Sequence, residues 1–331
     1  MKIETKSEVL QILQMPRDEW ELAIKPEAVK ALEAENGKKL LVSAMLGYGN
    51  ICRNQCLYCG MRASHVLPRR YRMSAEEVSE TVLKAQALGF SRVFLVSGED
   101  PGYGFENILH FVRTISASGM KISLGAGEQS DDEFLQLQEA GVDEYVIKFE
   151  MSHKSTFERL NPSTTFEKRM HSIETVKRLG LKLASGNIVD YPHQTLDELA
   201  DDILLMKKLD ISWAPCIPYL PVAGTPLAQE GGRGDVLKMW KEISILRLMM
   251  PKIRITAQQP SENPQSTIAD PQGNQDAIRA GANVLFYDLL APNRQADFSI
   301  IDHRNLPGLA LQREIAENVG YLLERSAQRG G

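Results

Sequence analysis

Three of the chain's four cysteines lie close together in the segment NICRNQCLYCG, at Cys52, Cys56 and Cys59. The spacing C-x3-C-x2-C lets one short loop present thiolates to three irons of a cubane [4Fe–4S] cluster. The fourth cysteine, Cys216, lies far along the chain, so the fourth iron is left without a nearby protein ligand. An iron with an open coordination site can bind and cleave a substrate, which a cluster that only passes electrons does not do.

Other kinds of cysteine site have to be weighed against the open cluster. A structural zinc site needs four closed ligands, and the nearest fourth candidate here is His65. Four cysteines in 331 residues, three of them clustered, are typical of a reduced cytosolic protein rather than a disulfide framework. Electron-transfer ferredoxins supply a fourth cysteine, which this segment lacks. We favour the open cluster and keep the zinc site with His65 as the alternative.

Length and composition exclude several classes of protein. The chain is long enough for one large α/β barrel or two ordinary domains, with 43% hydrophobic residues and a net charge of −5. An acidic chain without long basic runs gives no electrostatic reason to bind nucleic acid. It has no apolar run long enough to span a membrane and no signal-peptide core. We expect a cytoplasmic monomer that binds neither nucleic acid nor membrane.

The elements that must position the cysteines follow an alternating pattern. Short apolar runs predict eight strands, at 40–47, 92–97, 120–125, 144–149, 182–189, 212–219, 252–257 and 283–287. Helices are predicted between them, near 74–88, 105–118, 131–140, 166–179, 195–209, 235–249 and 273–280. This alternation indicates parallel βαβ units, and eight strands close a TIM-type (βα)8 barrel. A doubly wound open sheet is the alternative.

The cysteine segment directly follows the first predicted strand, on the face where barrel active sites lie. Residues 1–37 predict an N-terminal helical extension with a second helix at 26–35, and a last helix at 309–325 is expected to close the domain. Ser74 with Glu77 is a capping box that begins the first barrel helix. No linker divides the rest, so we predict a single barrel domain over 38–331.

With Tyr58 before its last cysteine, the motif resembles the signature of the radical S-adenosylmethionine superfamily. Nearly the whole chain is similar to the group of biotin synthase, methylornithine synthase and the [FeFe]-hydrogenase maturase HydE. Its most HydE-like parts are 50–60, 70–73, 97–101, Glu150 and 166–169. The resemblance implies a radical SAM fold and an oxygen-sensitive enzyme with a [4Fe–4S] cluster on Cys52, Cys56 and Cys59.

The resemblance also implies S-adenosylmethionine, which is cleaved to methionine and a 5′-deoxyadenosyl radical, and an electron donor of the flavodoxin or ferredoxin type. It assigns Tyr58 to the adenine, Glu150 to the ribose or amine, and Arg169 to the carboxylate. The other implied cofactor contacts are Ser97, Gly98, Glu99, Asp100 and Glu128. Simpler roles compete with these: a core aromatic for Tyr58, turn caps for Glu99 and Asp100, an ion pair with Lys148 for Glu150, and a solvated charge for Arg169. Arg70 and Arg72 form a basic patch, solvated or used to dock the donor.

Residues at the predicted strand ends suggest the substrate. They are largely polar and include Glu128, Ser185, Asn187, Asp190, Cys216, Tyr219, Gln258, Gln259, Tyr287 and Asp288. We therefore expect a small polar or zwitterionic substrate. A lone Cys216 disfavours the second cluster of biotin synthase, and Asp190 stands where the relatives have glycine; both are candidate catalytic residues.

The leading hypothesis is a HydE-like radical enzyme. The alternatives are a mutase like methylornithine synthase, a HydE-like enzyme with a separate substrate, a non-catalytic metalloprotein, and a binding protein that has lost turnover.

Overall fold

The fold is built around parallel strands, and the computed structural model describes residues 2–302, 304 and 306–325. The strands in chain order are β1 (Lys39–Gly49), β2 (Arg92–Ser97), β3 (Lys121–Gly125), β4 (Glu144–Val146), β5 (Lys182–Ala184), β6 (Ile188–Val189), β7 (Trp213–Ala214), β8 (Ile217–Pro218), β9 (Arg254–Ile255), β10 (Val284–Asp288) and β11 (Leu322–Glu324). Nine of them form one sheet: eight follow the order β10-β1-β2-β3-β4-β5-β7-β9, β11 pairs with β1, and every pairing is parallel.

The two ends of this sheet meet. Thr256, just after β9, forms a parallel bridge with Val284 of β10. The Ala257 N–H donates to the Val284 carbonyl at 2.8 Å, and the Asn283 N–H donates to the Ile255 carbonyl at 3.0 Å. The sheet therefore closes, and the predicted TIM-type (βα)8 barrel is confirmed rather than the open sheet.

The helices surround the barrel. They are α1 (Lys6–Gln14), α2 (Arg17–Ala23), α3 (Lys25–Asn36), α4 (Ala75–Ala87), α5 (Phe105–Ala117), α6 (Asp131–Ala140), α7 (Lys154–Leu160), α8 (Phe166–Arg178), α9 (Leu196–Lys208), α10 (Val236–Met249), α11 (Pro271–Ala280), α12 (Pro292–Gln295) and α13 (Leu309–Asn318). The predicted capping box of Ser74 and Glu77 begins α4. In the described part of the chain, no helix combines the length and the apolar character that a membrane span requires.

The structure differs from the predicted elements in several places, and two of its helices, α7 and α12, have no predicted counterpart. The fifth and sixth predicted strands are each broken in two, because residues after β5 leave the barrel ladder and Asn187 bridges to Glu150. The helix predicted at 309–325 ends at Asn318; Gly320 follows with a φ of +80°, and β11 then pairs with β1. The N-terminal segment forms three helices rather than two. The division into an extension over 1–37 and a domain over 38–331 stays a prediction.

Aromatic rings fill the amino-terminal half of the barrel. The ring centroids of Phe94 and Trp213 are 5.0 Å apart, as are those of Trp213 and Phe286. The Trp213 Nε1–H is satisfied by Thr256 Oγ1 at 3.0 Å. Below the rings, the buried Glu144 carboxylate accepts hydrogen bonds from Ser123, Ser212 and Arg254. This layer separates the barrel interior above it, which opens toward the carboxyl ends of the strands, from a cavity of about 800 Å³ at the amino ends, lined by residues such as Arg92, Ser212 and Arg254.

Trp213→Ala should lower the free energy of unfolding by about 3–5 kcal/mol, because a large buried side chain leaves a cavity that the barrel cannot fill. Urea denaturation followed by circular dichroism measures the change. Leu22→Ala, at an exposed position on α2, is the control and should change it by less than about 0.5 kcal/mol. Equal effects of the two substitutions would show that the aromatic layer is not part of the stabilising core.

Candidate active site

The segment with the three cysteines, called here the cysteine loop (residues 50–60), is fixed at its start by Asn50. This residue follows β1 and is fully buried. Its Nδ2 donates to the carbonyls of Arg69 and Asp297 at 2.8 and 2.6 Å, and its Oδ1 accepts from the Tyr71 N–H at 2.8 Å. The amide thus ties the strand end to two other segments.

Arg70 holds the rest of the loop. Its Nη1 donates to the carbonyls of Asn50 and Met61 at 2.6 and 2.9 Å. Its Nη2 donates to those of Arg62 and His65 at 2.7 and 2.8 Å. The guanidinium fork suits this task because its donors point in fixed directions. Arg70 is therefore a structural centre of the loop and not part of a solvated basic patch.

The cysteine loop also bonds to neighbouring loops through its backbone. The Arg53 N–H donates to the Glu99 carbonyl at 2.8 Å, and the Leu57 N–H donates to the Leu160 carbonyl at 2.9 Å. Gly98 packs against the loop so closely that a Cβ there would lie 2.3 Å from the Ile51 oxygen. Only glycine fits at that position, so the close packing of the two loops explains why residue 98 is a glycine.

The three thiols occupy a buried setting that suits a metal cluster. Burial raises the pKa of Cys52 and Cys56, and it raises the pKa of Cys59 to about 12. The nearness of Cys59 adds to the shift at Cys56, and that of Cys52 adds to the shift at Cys59. Thiolates gathered here need a strongly cationic partner, as an iron–sulfur cluster provides.

A single-ion site is a poorer fit. Within residues 2–302, 304 and 306–325, no three His, Cys, Asp or Glu side chains gather as one metal ion requires. A cubane holds its cysteine ligands further apart than one ion does. His65, the candidate zinc ligand, has its Nδ1 2.6 Å from the Gly60 carbonyl. The zinc alternative therefore has no support in the geometry.

The predicted contacts after β2 and β3 form one group behind the cysteine loop. The carboxylate of Glu99 accepts from the Glu128 N–H at 3.1 Å and from Arg53 Nη2 at 3.2 Å. That of Asp100 accepts from Arg72 Nε at 2.5 Å and from the Gly102 N–H at 3.0 Å. Asp100 thus holds a turn, as its simpler interpretation expects. With Ser97 and Gly98, these three acidic residues line a side cavity of about 270 Å³.

Arg169 and Glu128 form a buried ion pair. Arg169 Nε lies 3.0 Å from Glu128 Oε1, which also accepts from Thr164 Oγ1 at 2.9 Å. Arg169 Nη1 donates to the Lys148 carbonyl at 2.5 Å. The guanidinium is held by these two contacts and is buried, so the solvated interpretation of Arg169 is wrong. Tyr58 lies nearby, with its hydroxyl 2.6 Å from Asn161 Oδ1.

Glu150 adopts a strained backbone conformation, with a φ of +62° that non-glycine residues rarely adopt. Its N–H donates to the Gly186 carbonyl and its carbonyl accepts from the Ile188 N–H, both at 3.0 Å. Lys148 Nζ lies 2.9 Å from Glu150 Oε2, the ion pair that its simpler interpretation expects, although the angles do not suit a hydrogen bond. The carboxylate is thereby aimed into the barrel.

A central cavity of about 330 Å³ opens above the aromatic layer. Four of the predicted cofactor contacts line it: Tyr58, Ser97, Glu150 and Arg169. Its deeper wall is mostly apolar and includes Met45, Phe94, Val146, Trp213, Ile217 and Phe286. Of the polar residues predicted at the strand ends, Tyr219 and Gln258 line this cavity, while Ser185 and Gln259 bond to backbone groups. The cavity is therefore less polar than the strand-end residues suggest, and the small polar substrate stays a prediction.

Cys216 and Asp190 do not line the central cavity. Cys216, between β7 and β8, is fully buried with its Sγ 3.7 Å from Met206 Sδ of α9. The Asp190 carboxylate accepts from the Asp235 N–H at 2.7 Å and from Lys238 Nζ at 2.5 Å, which fixes the start of α10. Asp190 has a φ of +57°, so the glycine of the relatives is explained by the backbone. Neither position supports a catalytic role.

The comparisons with known proteins agree with this geometry. The sequence profile of the radical SAM superfamily matches residues 46–206. The [FeFe] hydrogenase maturase subunit HydE of Thermotoga maritima is 34% identical over 249 residues, which cover 75% of this chain and 70% of that protein. The chain belongs to the radical S-adenosylmethionine superfamily. Members of this superfamily are enzymes that use a [4Fe–4S] cluster and S-adenosylmethionine.

Other relatives of this radical SAM protein are more distant. The 3-methylornithine synthase of Methanosarcina acetivorans is 25% identical over 75% of this chain and 69% of that protein. A solved methylornithine synthase (PylB) superposes with a TM-score of 0.83 at 23% identity, covering 96% of this chain and 94% of that one. The maturase HydG from Carboxydothermus hydrogenoformans gives 0.81 at 18% identity, covering 98% and 77%. At these identities the solved structures show the fold alone.

Sequence reasoning missed several residues of the candidate site. Asn161 and Thr164, which bind Tyr58 and Glu128, lie between α7 and α8 and carry no motif. Arg304 lines the central cavity and pairs with Asp288 at 2.5 Å, also without a sequence signal. From the sequence, Lys148 is predicted only as an ion-pair partner of Glu150. The period of two that places Val146 and Glu150 inward also places Lys148 inward, so that signal was present.

Two buried acids, Glu242 and Asp202, lie near each other behind Cys216. The Glu242 carboxylate accepts from Asn187 Nδ2 at 3.0 Å. Burial raises the pKa of Glu242 to about 8, and nearby Asp202 adds to the shift. Burial also raises the pKa of Asp202 to about 7. In the unfolded chain Glu242 loses its proton near its ordinary value of 4.5. Between pH 4.5 and about 8, Glu242 is protonated in the folded state and ionised in the unfolded state. The free energy of unfolding therefore falls as pH rises through this range.

Glu242→Gln should therefore flatten the dependence of unfolding free energy on pH between pH 6 and 8. The slope should lessen by about 1 kcal/mol per pH unit, since each pKa unit corresponds to about 1.4 kcal/mol. Urea unfolding at several pH values measures it. Glu139→Gln, at an exposed position on α6, should leave the slope unchanged. Parallel curves for wild type and Glu242→Gln would contradict the assignment of a neutral buried acid.

Proposed function

We propose that Cys52, Cys56 and Cys59 hold a [4Fe–4S] cluster whose fourth iron binds S-adenosylmethionine, and that the radical formed acts on a small substrate in the central cavity. The observation that carries the proposal is the position of the cysteine loop. It directly follows β1 at the carboxyl end of a closed barrel, and Asn50 and Arg70 hold it there. Tyr58, within the loop, lines the central cavity.

When bound, the cluster and S-adenosylmethionine supply the chemistry of the family, in which one electron cleaves a carbon–sulfur bond to give methionine and a 5′-deoxyadenosyl radical. The residues of this chain bind and orient the cofactor. Glu150 aims into the cavity a carboxylate whose Oε2 is ion-paired with Lys148 Nζ at 2.9 Å but makes no hydrogen bond, so it can accept from hydroxyl or amino groups. Arg169 lines the same cavity, and its guanidinium suits a carboxylate. Gly98 keeps the loop after β2 against Cys52.

The walls of the central cavity suit a radical reaction. The deeper part is lined by apolar side chains whose carbon atoms neither ionise nor hold water. The aromatic layer of Phe94, Trp213 and Phe286 closes its amino-terminal end. A reactive intermediate formed above this layer is kept from solvent, which is the protein's main contribution to such chemistry.

The substrate that fits this cavity is small and amphiphilic. An apolar portion would lie against side chains such as Val146 and Phe286, while its charged end would lie beside Lys148 and Glu150. An amino acid or a thiol adduct of one has this character. HydE is the better guide to the chemistry than methylornithine synthase, because its identity to this chain is 34% against 25%. We therefore propose a HydE-like reaction on an amino-acid-derived substrate.

Replacing Cys52, Cys56 and Cys59 together by alanine should abolish cluster binding. Wild-type protein reconstituted without oxygen should hold about four irons per chain and form 5′-deoxyadenosine with dithionite. The triple variant should hold almost no iron and form no nucleoside. Cys216→Ser is the matched control and should keep both properties, because Cys216 lies against Met206 of α9 and outside the central cavity. Full iron content in the triple variant, or zinc in the wild type, would contradict the proposal.

Lys148→Met should weaken substrate binding by about tenfold or more, since it removes the cation beside the apolar wall, and Lys148→Arg should restore most of it. The assay is deuterium transfer from labelled amino acids and thiol adducts into 5′-deoxyadenosine. Cleavage of S-adenosylmethionine without substrate serves as the control and should change far less. If Lys148→Met leaves the substrate KM unchanged, the charged end lies elsewhere.

A further inference from the structure

Two large apolar side chains are exposed next to each other beside the cysteine loop. Val66 is 88% exposed and Leu67 is 69% exposed, and both lie in the loop over residues 61–70. The other strongly exposed large apolar residues of the described chain are scattered singly, as is normal for a protein surface. An adjacent pair in one loop is different, because it presents a continuous apolar contact to a partner.

The 61–70 loop is rigid despite its position on the surface. The Ala63 N–H donates to the Asn54 carbonyl at 2.8 Å, and the Arg62 N–H donates to the Cys59 carbonyl at 3.2 Å. His65 is buried and bonds to the Gly60 carbonyl, while Arg70 bonds to the carbonyls of Arg62 and His65. Val66 and Leu67 are thus held in place by the same contacts that hold the cysteine loop.

In a chain with a net charge of −5, three arginines in or beside these two loops pair with carboxylates that are much less exposed: Arg53 in the cysteine loop, Arg69 in the 61–70 loop and Arg72 just after it. The exposed fractions of the side chains are 50% for Arg53 against 9% for Glu99, and 44% for Arg72 against 8% for Asp100. For Arg69 and Asp297 they are 74% and 19%. The positive groups face solvent and the negative groups face inward.

We propose that Val66 and Leu67, together with Arg53, Arg69 and Arg72 of the same two loops and their edge, are the docking surface for an acidic one-electron donor protein. This inference rests on the proposed function, since it needs a cluster in the cysteine loop. One electron passes from the reduced cofactor of the donor to the cluster; the donor is oxidised, and no covalent bond or proton is transferred. Charge complementarity speeds the encounter, and the apolar pair stabilises the contact.

The position of the surface fits this partner better than a substrate. Arg62 bonds to the Cys59 carbonyl and His65 to that of Gly60, so the exposed pair is only a few residues from a proposed iron ligand. Neither Val66 nor Leu67 lines the central cavity. A donor seated here approaches the cluster from outside the barrel, and the cavity stays free for S-adenosylmethionine and substrate.

The test compares two reductants on the same reconstituted enzyme. Reduced flavodoxin, a small acidic protein, needs a docking surface, whereas dithionite does not. The variants are Arg69→Glu and the double change Val66→Ser with Leu67→Ser. The controls are Lys84→Glu and Leu22→Ser, which make the same chemical changes at exposed positions on α4 and α2. The readout is the initial rate of 5′-deoxyadenosine formation at limiting reductant.

With flavodoxin, both variants should lower the rate by about tenfold, and the wild-type rate should fall as salt screens the arginines. With dithionite, both should stay within about twofold of wild type, and the controls should match wild type throughout. Unchanged flavodoxin rates, or equal losses with both reductants, would overturn the docking surface. Light scattering gives a further check. If the wild type is a dimer and the double variant is a monomer, the docking surface is overturned, because a second copy of the chain would then cover Val66 and Leu67. No nucleoside from the wild type with dithionite would instead overturn the proposed function.

Discussion

The structure depends on how one loop is held at the carboxyl end of a closed barrel. Asn50 and Arg70 use nearly all of their side-chain hydrogen-bonding groups on backbone atoms of the segment that contains the cysteines and of its neighbours. Iron–thiolate bonds set the shape of a cluster but not its place in the protein. A cluster held by this loop would therefore take its position relative to Glu150 and Arg169 from these two side chains. The exposed Val66 and Leu67 depend on the same contacts.

The barrel combines charged groups at its mouth with an apolar interior. Its polar side chains are paired before any ligand arrives: Arg169 with Glu128, Lys148 with Glu150, and Arg304 with Asp288. Paired charges are less costly to bury than single ones and keep their partners oriented. Below them, Phe94, Trp213 and Phe286 exclude water. A cofactor with charged ends and a substrate with an apolar body can both be held in such a space.

Much of this was predictable from sequence, for reasons that particular residues make clear. Eight strands were found because apolar runs alternate with amphipathic helices, and Cys52, Cys56 and Cys59 carry a spacing specific to one kind of cluster. The direction in which a side chain points was not predictable at irregular strands. Cys216 and Asn187 lie where β5 to β8 are short and broken. The regular alternation of side-chain direction along a strand therefore does not hold there. Arg70 looks like a surface charge in sequence, and only the curled backbone shows that its partners are carbonyls.

The most direct test of this account is the electron paramagnetic resonance spectrum of the reduced cluster, recorded without oxygen, before and after S-adenosylmethionine is added. If one iron lacks a protein ligand, the cofactor binds to it, so the g-values should shift and 15N in the methionyl amino group should couple to the cluster. A spectrum that stays unchanged at saturating cofactor, with no coupling to the label, would show that all four irons are already ligated and would contradict the account.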